Sequence, residues 1–228
     1  MTVQAEAVRH VPLFATLAPD DLAHVAAVTV TRRFARGDII LLAGQEGGAL
    51  YFVRSGLVKV FKTSEEGKEQ VLRLISAGHT FNDVPAFDGG PNPASVMALE
   101  PTVVYATRGA HLRRLIAERP GVAEAVVRTL AVALRYLVTV VEDLSFLPVR
   151  ARVAKILLEQ EAEQAKGEDG EQIQHPPHRL TQQEMAAMAG TAREMVGRAL
   201  KELEIAGAIR NEHGHITVLS RERLQLLA

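Results

Sequence analysis

The stretch between Pro120 and Pro148 limits the fold more than any other part of the chain. It holds few helix breakers, and Ala123, Val127, Leu130, Leu134, Leu137, Val141 and Leu144 step by four and three. That spacing makes a coiled-coil seam, and Glu124, Arg128, Arg135 and Glu142 fall in a separate polar stripe. The pattern predicts one helix that opens at Pro120, runs to about Ser145 and is stopped near Pro148. Val126, Val132, Val138 and Val140 widen its apolar surface. A single sheet face does not easily cover both apolar flanks. A second copy of the chain, paired along Val127, Leu130, Leu134, Leu137, Val141 and Leu144, does. Packing on the chain's own β-domain is the alternative.

Upstream the texture differs. From about Val28 to Thr107, short alternating runs such as ALYFVRSGLVKVFKT and EQVLRLI are separated by glycines at 37, 44, 47–48, 56, 67, 78 and 89–90. Regular turns between alternating runs predict a compact antiparallel sandwich or barrel. With 47% hydrophobic and 23% charged residues the chain is neither disordered nor fibrous. Three parts are expected: a β-rich sensor domain over 1–119, the long helix and a hinge over 120–147, and a third domain over 148–228. Phe146, Leu147 and Pro148 mark the hinge.

The chain has no cysteine, which excludes disulfides, thiolate zinc, a cysteine nucleophile and a cysteine-ligated iron-sulfur cluster. His175 and His178 flank two prolines in the loop-like GEDGEQIQHPPH, and His213 and His215 lie near the C-terminus. Each pair is too few ligands for a metal site, so none is expected. The first residues lack the basic start and apolar run of a signal peptide, and Arg128 and Arg135 interrupt the most apolar stretch. A cytoplasmic protein without membrane contact follows as an expectation. No glycine-rich phosphate loop, His-Glu-x-x-His or nucleophile elbow is present, and no catalytic residue is assigned.

The formal net charge of −1 gives no hint of nucleic acid, so any such reading rests on local arrangement. LTQQEMAAMAGTAREMVGRALKELEIAGAIRNEHGHITVL supplies one. Thr181 with Glu184, and Thr191 with Glu194, each fit a capping box at a helix start. Gly190 between them gives a tight turn, and Ala186, Ala187 and Ala189 allow close helix approach. On the second helix Arg193, Glu194, Gly197, Arg198 and Lys201 share an arc, with Met195, Val196, Ala199, Leu200 and Leu203 on the remaining face. Arginine pairs with guanine O6 and N7, and glutamate accepts from the cytosine amino group. Arg193, Glu194 and Arg198 therefore suit G and C edges, Lys201 suits phosphate, and Thr181 and Thr191, at the two helix starts, are expected among the DNA-binding residues as well. Residues 208–218 alternate around Asn211, Glu212, His213 and Gly214, the pattern of a hairpin wing.

These residues resemble the cyclic-AMP receptor protein and FNR family of bacterial regulators. The likeness runs from about Pro12 to Val218 and includes EEGKEQVLRLISAGHTF, LSFLPVRARVAKILL and the Arg-Glu-x-x-x-Arg of AREMVGRALKELE. It implies an α+β chain: an N-terminal antiparallel β-roll, a cyclic-nucleotide-binding-like jelly roll, then a long dimerisation helix and a C-terminal winged helix-turn-helix. It implies a homodimer on double-stranded DNA, with Arg193, Glu194 and Arg198 reading a palindrome whose halves lie about one helical turn apart. RNA polymerase is a further implied partner.

The sensor half departs from the cyclic-nucleotide binders. Where they carry Gly-Glu-Leu and then Arg-Ser, this chain has Asn82-Asp83-Val84 and Pro93-Ala94, followed by Ser95, and no Arg or Lys stands between Arg73 and Arg108. A buried phosphate needs a cationic partner. Leu137 and Val138 are apolar where the cyclic-AMP receptor offers hydroxyls. Cyclic AMP is therefore not expected as a tight ligand. The pocket near Val84, Pro85, Tyr136, Leu137 and Val138 is expected to be more apolar. A small hydrophobic effector, a heme near His79, or packed side chains alone remain open, as does a regulator controlled by abundance. A cyclic-nucleotide-like sensory module without DNA binding would not need Arg193, Glu194 and Arg198 on one face.

Overall fold

Short helices at the N-terminus, α1 (Ala5–Arg9) and α2 (Pro19–Val28), lead into two four-stranded antiparallel sheets. The chain continues through β1 (Thr29–Phe34), β2 (Ile39–Leu41), β3 (Ala49–Ser55), β4 (Leu57–Thr63), β5 (Glu69–Ser76) and β6 (Thr80–Phe81). A short helix, α3 (Asp83–Asp88), precedes β7 (Ser95–Ala98) and β8 (Thr102–Arg108). The computed structural model describes residues 3–15, 17–46, 48–168, 179–212 and 215–228, apart from the side chains of 163–168. One sheet has the order β1-β8-β3-β6 and the other β2-β7-β4-β5.

Alternation explains why the sheets stack. Tyr51, Val53, Phe81, Val104 and Ala106 of the first sheet and Val58, Ile75 and Val96 of the second are buried in one cluster, each contributed by inward-pointing positions of its strand. Tyr51 and Phe81 stack with ring centroids 4.9 Å apart. On the other side of the first sheet, Phe52 and Tyr105 meet Phe14, Leu22 and Val25 from the N-terminal segment. Gly56, between β3 and β4, has φ +98°, and a Cβ there would lie 2.7 Å from Pro101 O. Only glycine both turns the chain and admits that approach.

Helices α4 (Gly109–Glu118) and α5 (Pro120–Phe146) follow, so the long helix has the extent its seam predicts. Its first turns bury Val122 and Val126 in the cluster that holds Phe14 and Leu112. Beyond them Val127, Leu134 and Val141 are 66%, 64% and 63% exposed, and Leu130, Leu137, Val138 and Leu144 are exposed as well. Val126 thus faces the chain's own β-domain, whereas the seam residues from Val127 onward are exposed.

The C-terminal part comprises α6 (Val149–Glu168), α7 (Gln182–Ala189), α8 (Arg193–Ile205), β9 (Ile209–Glu212), β10 (His215–Val218) and α9 (Arg221–Leu226). His175, His178, His213 and Gly214 lie outside the described residues. Helix α6 packs on α7, α8 and α9, burying Val153, Ala154, Met185, Val196, Leu200, Leu203 and Leu224. The chain groups into two compact units, residues 1–62 with 72–137 and residues 63–71 with 138–228. No described helix is long and apolar enough to cross a membrane.

Candidate functional site

The helix-turn-helix is set by its caps. Thr181 accepts the Glu184 N–H at 3.2 Å, and the Glu184 carboxylate accepts the Thr181 N–H at 2.7 Å, so the first predicted capping box is complete. Helix α7 ends at Gly190, whose φ of +62° lets its N–H return to Ala186 O. The second predicted box does not form. Helix α8 starts at Arg193 with Ala192 as its N-cap and no side-chain cap. The Thr191 N–H is used to close the turn on Ala186 O at 3.0 Å, so the helix starts one residue later than the Thr191-Glu194 spacing predicts.

The buried stripe of α8 is Val196, Ala199, Leu200 and Leu203, the i, i+3, i+4, i+7 face of an amphipathic helix. Met195, expected on that face, is exposed, and the Arg198 guanidinium donates to its sulfur at 4.0 Å. Arg193, Glu194, Arg198 and Lys201 are all exposed. None of the four side chains joins an ion pair among the described residues. The remaining acids of α8 are used internally. Glu204 accepts the Asn211 N–H at 2.9 Å, tying the wing to the helix, and Glu202 lies 3.9 Å from Arg150. The wing pairs Ile209 with Val218 and Glu212 with His215. Four exposed charged side chains thus project from one helix face, with no ion-pair partner among the described residues.

In the β-roll the residues expected around an effector are less open than the sequence implies. Asn82 adopts φ +63°, the one described non-glycine residue in that region, and its side chain donates to Ala49 O at 3.0 Å. Asp83 accepts the Thr80 hydroxyl at 2.8 Å. Burial pushes its carboxyl above the usual carboxylate range, against smaller opposing effects of that hydrogen bond, its backbone hydrogen bond and the Arg73 charge. Val84 is exposed, Pro85 and Ala94 are buried, Pro93 is exposed, and Ser95 Oγ accepts the Ala43 N–H at 3.0 Å. Tyr136 donates to Leu72 O at 3.2 Å while the Arg73 guanidinium lies 5.3 Å from its ring centroid. Sequence reasoning placed Arg73 only as the edge of a cation-free stretch. Its contact with Tyr136 spans strands and helix and has no local signal. A recess lined by Val8, Val11, Phe14, Leu50, Phe52 and Tyr105 is too tight to admit water.

Because Asp83 is a stronger base in the folded chain than in the unfolded one, its ionised form costs stability at neutral pH. The native state gains relative stability as pH falls through the raised pKa, and the gain is complete below the ordinary carboxylate value. Asp83→Asn, which keeps an acceptor for Thr80, is expected to raise Tm by a few degrees at pH 7, with an advantage that shrinks on acidification. Thermal melts from pH 7 to 4 check it; an advantage that grows towards low pH would refute the sign.

Residues 31–119 match the cyclic nucleotide-binding domain family and residues 151–227 the Crp-like helix-turn-helix domain family. The CRP-like cAMP-activated global transcriptional regulator of Mycobacterium tuberculosis is 35% identical over 192 residues, 84% of each chain. The chain belongs to the CRP/FNR family of DNA-binding transcription regulators. The cyclic AMP receptor protein of Thermus thermophilus is 34% identical, covering 95% of this chain and 96% of its own. Among solved structures, the Thermus thermophilus catabolite activator protein aligns with 32% identity and a TM-score of 0.52, over 95% of this chain and 97% of that one. FixK2 from Bradyrhizobium japonicum reaches a TM-score of 0.74 at 21% identity, over 88% and 97%, and shows the shared fold. The CRP/FNR fold accounts for the β-roll, the long helix and the winged helix-turn-helix together.

Proposed function

We propose that this CRP/FNR-family chain is a cytoplasmic homodimer that binds a palindromic operator through Arg193, Glu194 and Arg198, and that its β-roll responds to an effector other than cyclic AMP. The observation that carries the DNA reading is the exposed face of α8, where those side chains have no ion-pair partner among the described residues while Glu202 and Glu204 are used within the fold. Lys201 and the wing hold phosphate and fix register, with the Thr181 capping box setting where α7 begins and the turn at Gly190 setting where α8 begins. The exposed seam from Val127 to Leu144 supports dimerisation, since a continuous apolar stripe of this kind is a protein contact in a soluble chain.

The Mycobacterium tuberculosis and Thermus thermophilus relatives are both named for cyclic AMP, yet the residues here do not fit its phosphate. Pro93 and Ala94 carry no charge or hydroxyl, Asp83 is a half-buried acid, and Arg73 is engaged on Tyr136. An anionic ligand beside Asp83 would need a compensating cation. The effector domain works through a population shift: a ligand favouring one arrangement of the paired helices favours one spacing of the recognition helices. RNA polymerase is the partner through which a bound dimer would activate.

Selection of random duplexes on the purified protein, with and without cell extract, tests this. It is expected to recover G- and C-containing half-sites about 34 Å apart, one turn of DNA, with binding strengthened by extract. Recovery of no palindrome would overturn the reading. In parallel, calorimetric titration with cyclic AMP is expected to show no binding at micromolar ligand; micromolar affinity would overturn the exclusion.

A further inference from the structure

The last carbonyls of a helix have no partner within it. At the end of α7 two of them are taken by side chains from distant parts of the chain. Gln70 Nε2 donates to Met188 O at 3.2 Å and Arg152 Nε donates to Ala189 O at 2.7 Å. The same Gln70 amide also donates to Val71 O at 3.1 Å, which fixes its rotamer against its own strand. At the next residue, Gly190, a Cβ would stand 2.8 Å from Leu144 Cδ2 and 3.0 Å from Gln70 Oε1. The turn between α7 and α8 is therefore seated on Gln70, Leu144 and Arg152 at once. Residues 63–71, the tip of the β4–β5 hairpin, group with residues 138–228 accordingly. Leu144, read from the sequence as the end of the dimer seam, also supports this turn.

We infer that Gln70 is a positioning residue for DNA binding: by holding the α7 C-terminus it fixes the angle of α8 on the end of α5, and so the spacing of the two recognition helices in a dimer. Neither Gln70 nor Leu144 belongs to the face of α8 that reads bases. The inference rests on the homodimer-on-palindrome reading. A pair of recognition helices held at one spacing binds its operator without ordering them first, and discriminates against half-sites moved along and around the duplex by added base pairs. A loosened turn loses both advantages.

The experiment uses the full-length protein and duplexes carrying the selected palindrome, at its native spacing and with one or two base pairs added between the halves. Gln70→Ala is expected to weaken binding at native spacing about tenfold, the hydrogen bond to the end of α7 being lost once in each protomer, and to bind the lengthened operators relatively better than wild type does. Gln70→Glu has the same length without the amide donor and is expected to behave like the alanine variant, which separates the hydrogen bond from packing. Circular dichroism and thermal melts confirm that both variants are folded. If wild type does not discriminate spacing, the dimeric reading falls and this inference with it. If wild type discriminates and Gln70→Ala keeps the same spacing dependence, with or without a uniform loss, this inference alone is overturned.

Discussion

Replacing Arg193 and Arg198 together by alanine is expected to abolish sequence-specific DNA binding while leaving the fold and the dimer intact. Both side chains are exposed on α8, and neither is used to hold α8 in place, since the helix is anchored by Val196, Ala199, Leu200 and Leu203. Truncation therefore leaves no buried cavity and no stranded internal charge. A bidentate base contact is worth about 1–3 kcal/mol, and a symmetric dimer makes each one twice. Either single change removes about 2–6 kcal/mol, roughly 30-fold to 10⁴-fold. The double change exhausts most of the gap of about 4–10 kcal/mol between specific and non-specific binding. Fluorescence anisotropy with the selected operator and a scrambled duplex measures both. The operator affinity should fall to that of the scrambled duplex, and the scrambled affinity should change much less. Lys201→Ala provides the contrast: as a phosphate contact it should weaken both duplexes and lower the salt slope by about two for the dimer. A double arginine variant that still prefers the operator would place the readers elsewhere on the protein.

The features legible in the sequence are those whose signals are local. The seam of α5 is a run of four and three steps between two prolines, and the helix occupies Pro120–Phe146. The Thr181-Glu184 box and Gly190 lie within ten residues of one another and fold as their spacing says. Thr191 and Glu194 have the same spacing but lose to a competing local demand. The αL turn at Gly190 uses the Thr191 backbone N–H on Ala186 O, leaving Ala192 as the N-cap. Met195 lies outside the buried face because close packing against neighbouring helices takes only a narrow stripe of α8, not the broad apolar arc that the sequence predicts. The sensor cassette was least legible. Its absent Arg-Ser pair can be read from the chain, but the pairing of Arg73 with Tyr136, like the reach of Gln70 to Met188, joins residues far apart in sequence and depends on tertiary placement. Heme rests on His79 and a small hydrophobic effector on the sequence's apolar residues, and the structure adds a half-buried acid and an arginine engaged on Tyr136 to that neighbourhood.

The second large effect is expected at the seam. Leu134 is 64% exposed in the single chain, so Leu134→Glu should leave the protomer folded, with circular dichroism unchanged and a helix surface that tolerates the charge. In a parallel pair of α5 helices the same position is buried against its counterpart, and the substitution brings two carboxylates together in an apolar contact. An unpaired buried charge costs about 3–5 kcal/mol, so the dimer constant should weaken by at least about 10²-fold. Analytical ultracentrifugation at micromolar protein should then show a monomer in place of a dimer. DNA binding supplies an independent readout. A dimer gains from its second half-site because the first holds it nearby, so the variant should bind a full palindrome no more tightly than a single half-site. Glu124→Leu or Arg128→Leu, on the polar stripe where these two side chains pair with each other, should leave the dimer constant nearly unchanged. Equal effects at Leu134 and at the polar stripe would mean that the helices do not pair along this seam. A Leu134→Glu protein that remains dimeric would return the exposed face of α5 to a contact with some other surface, and with it the argument that operator spacing is set by the pairing of these helices.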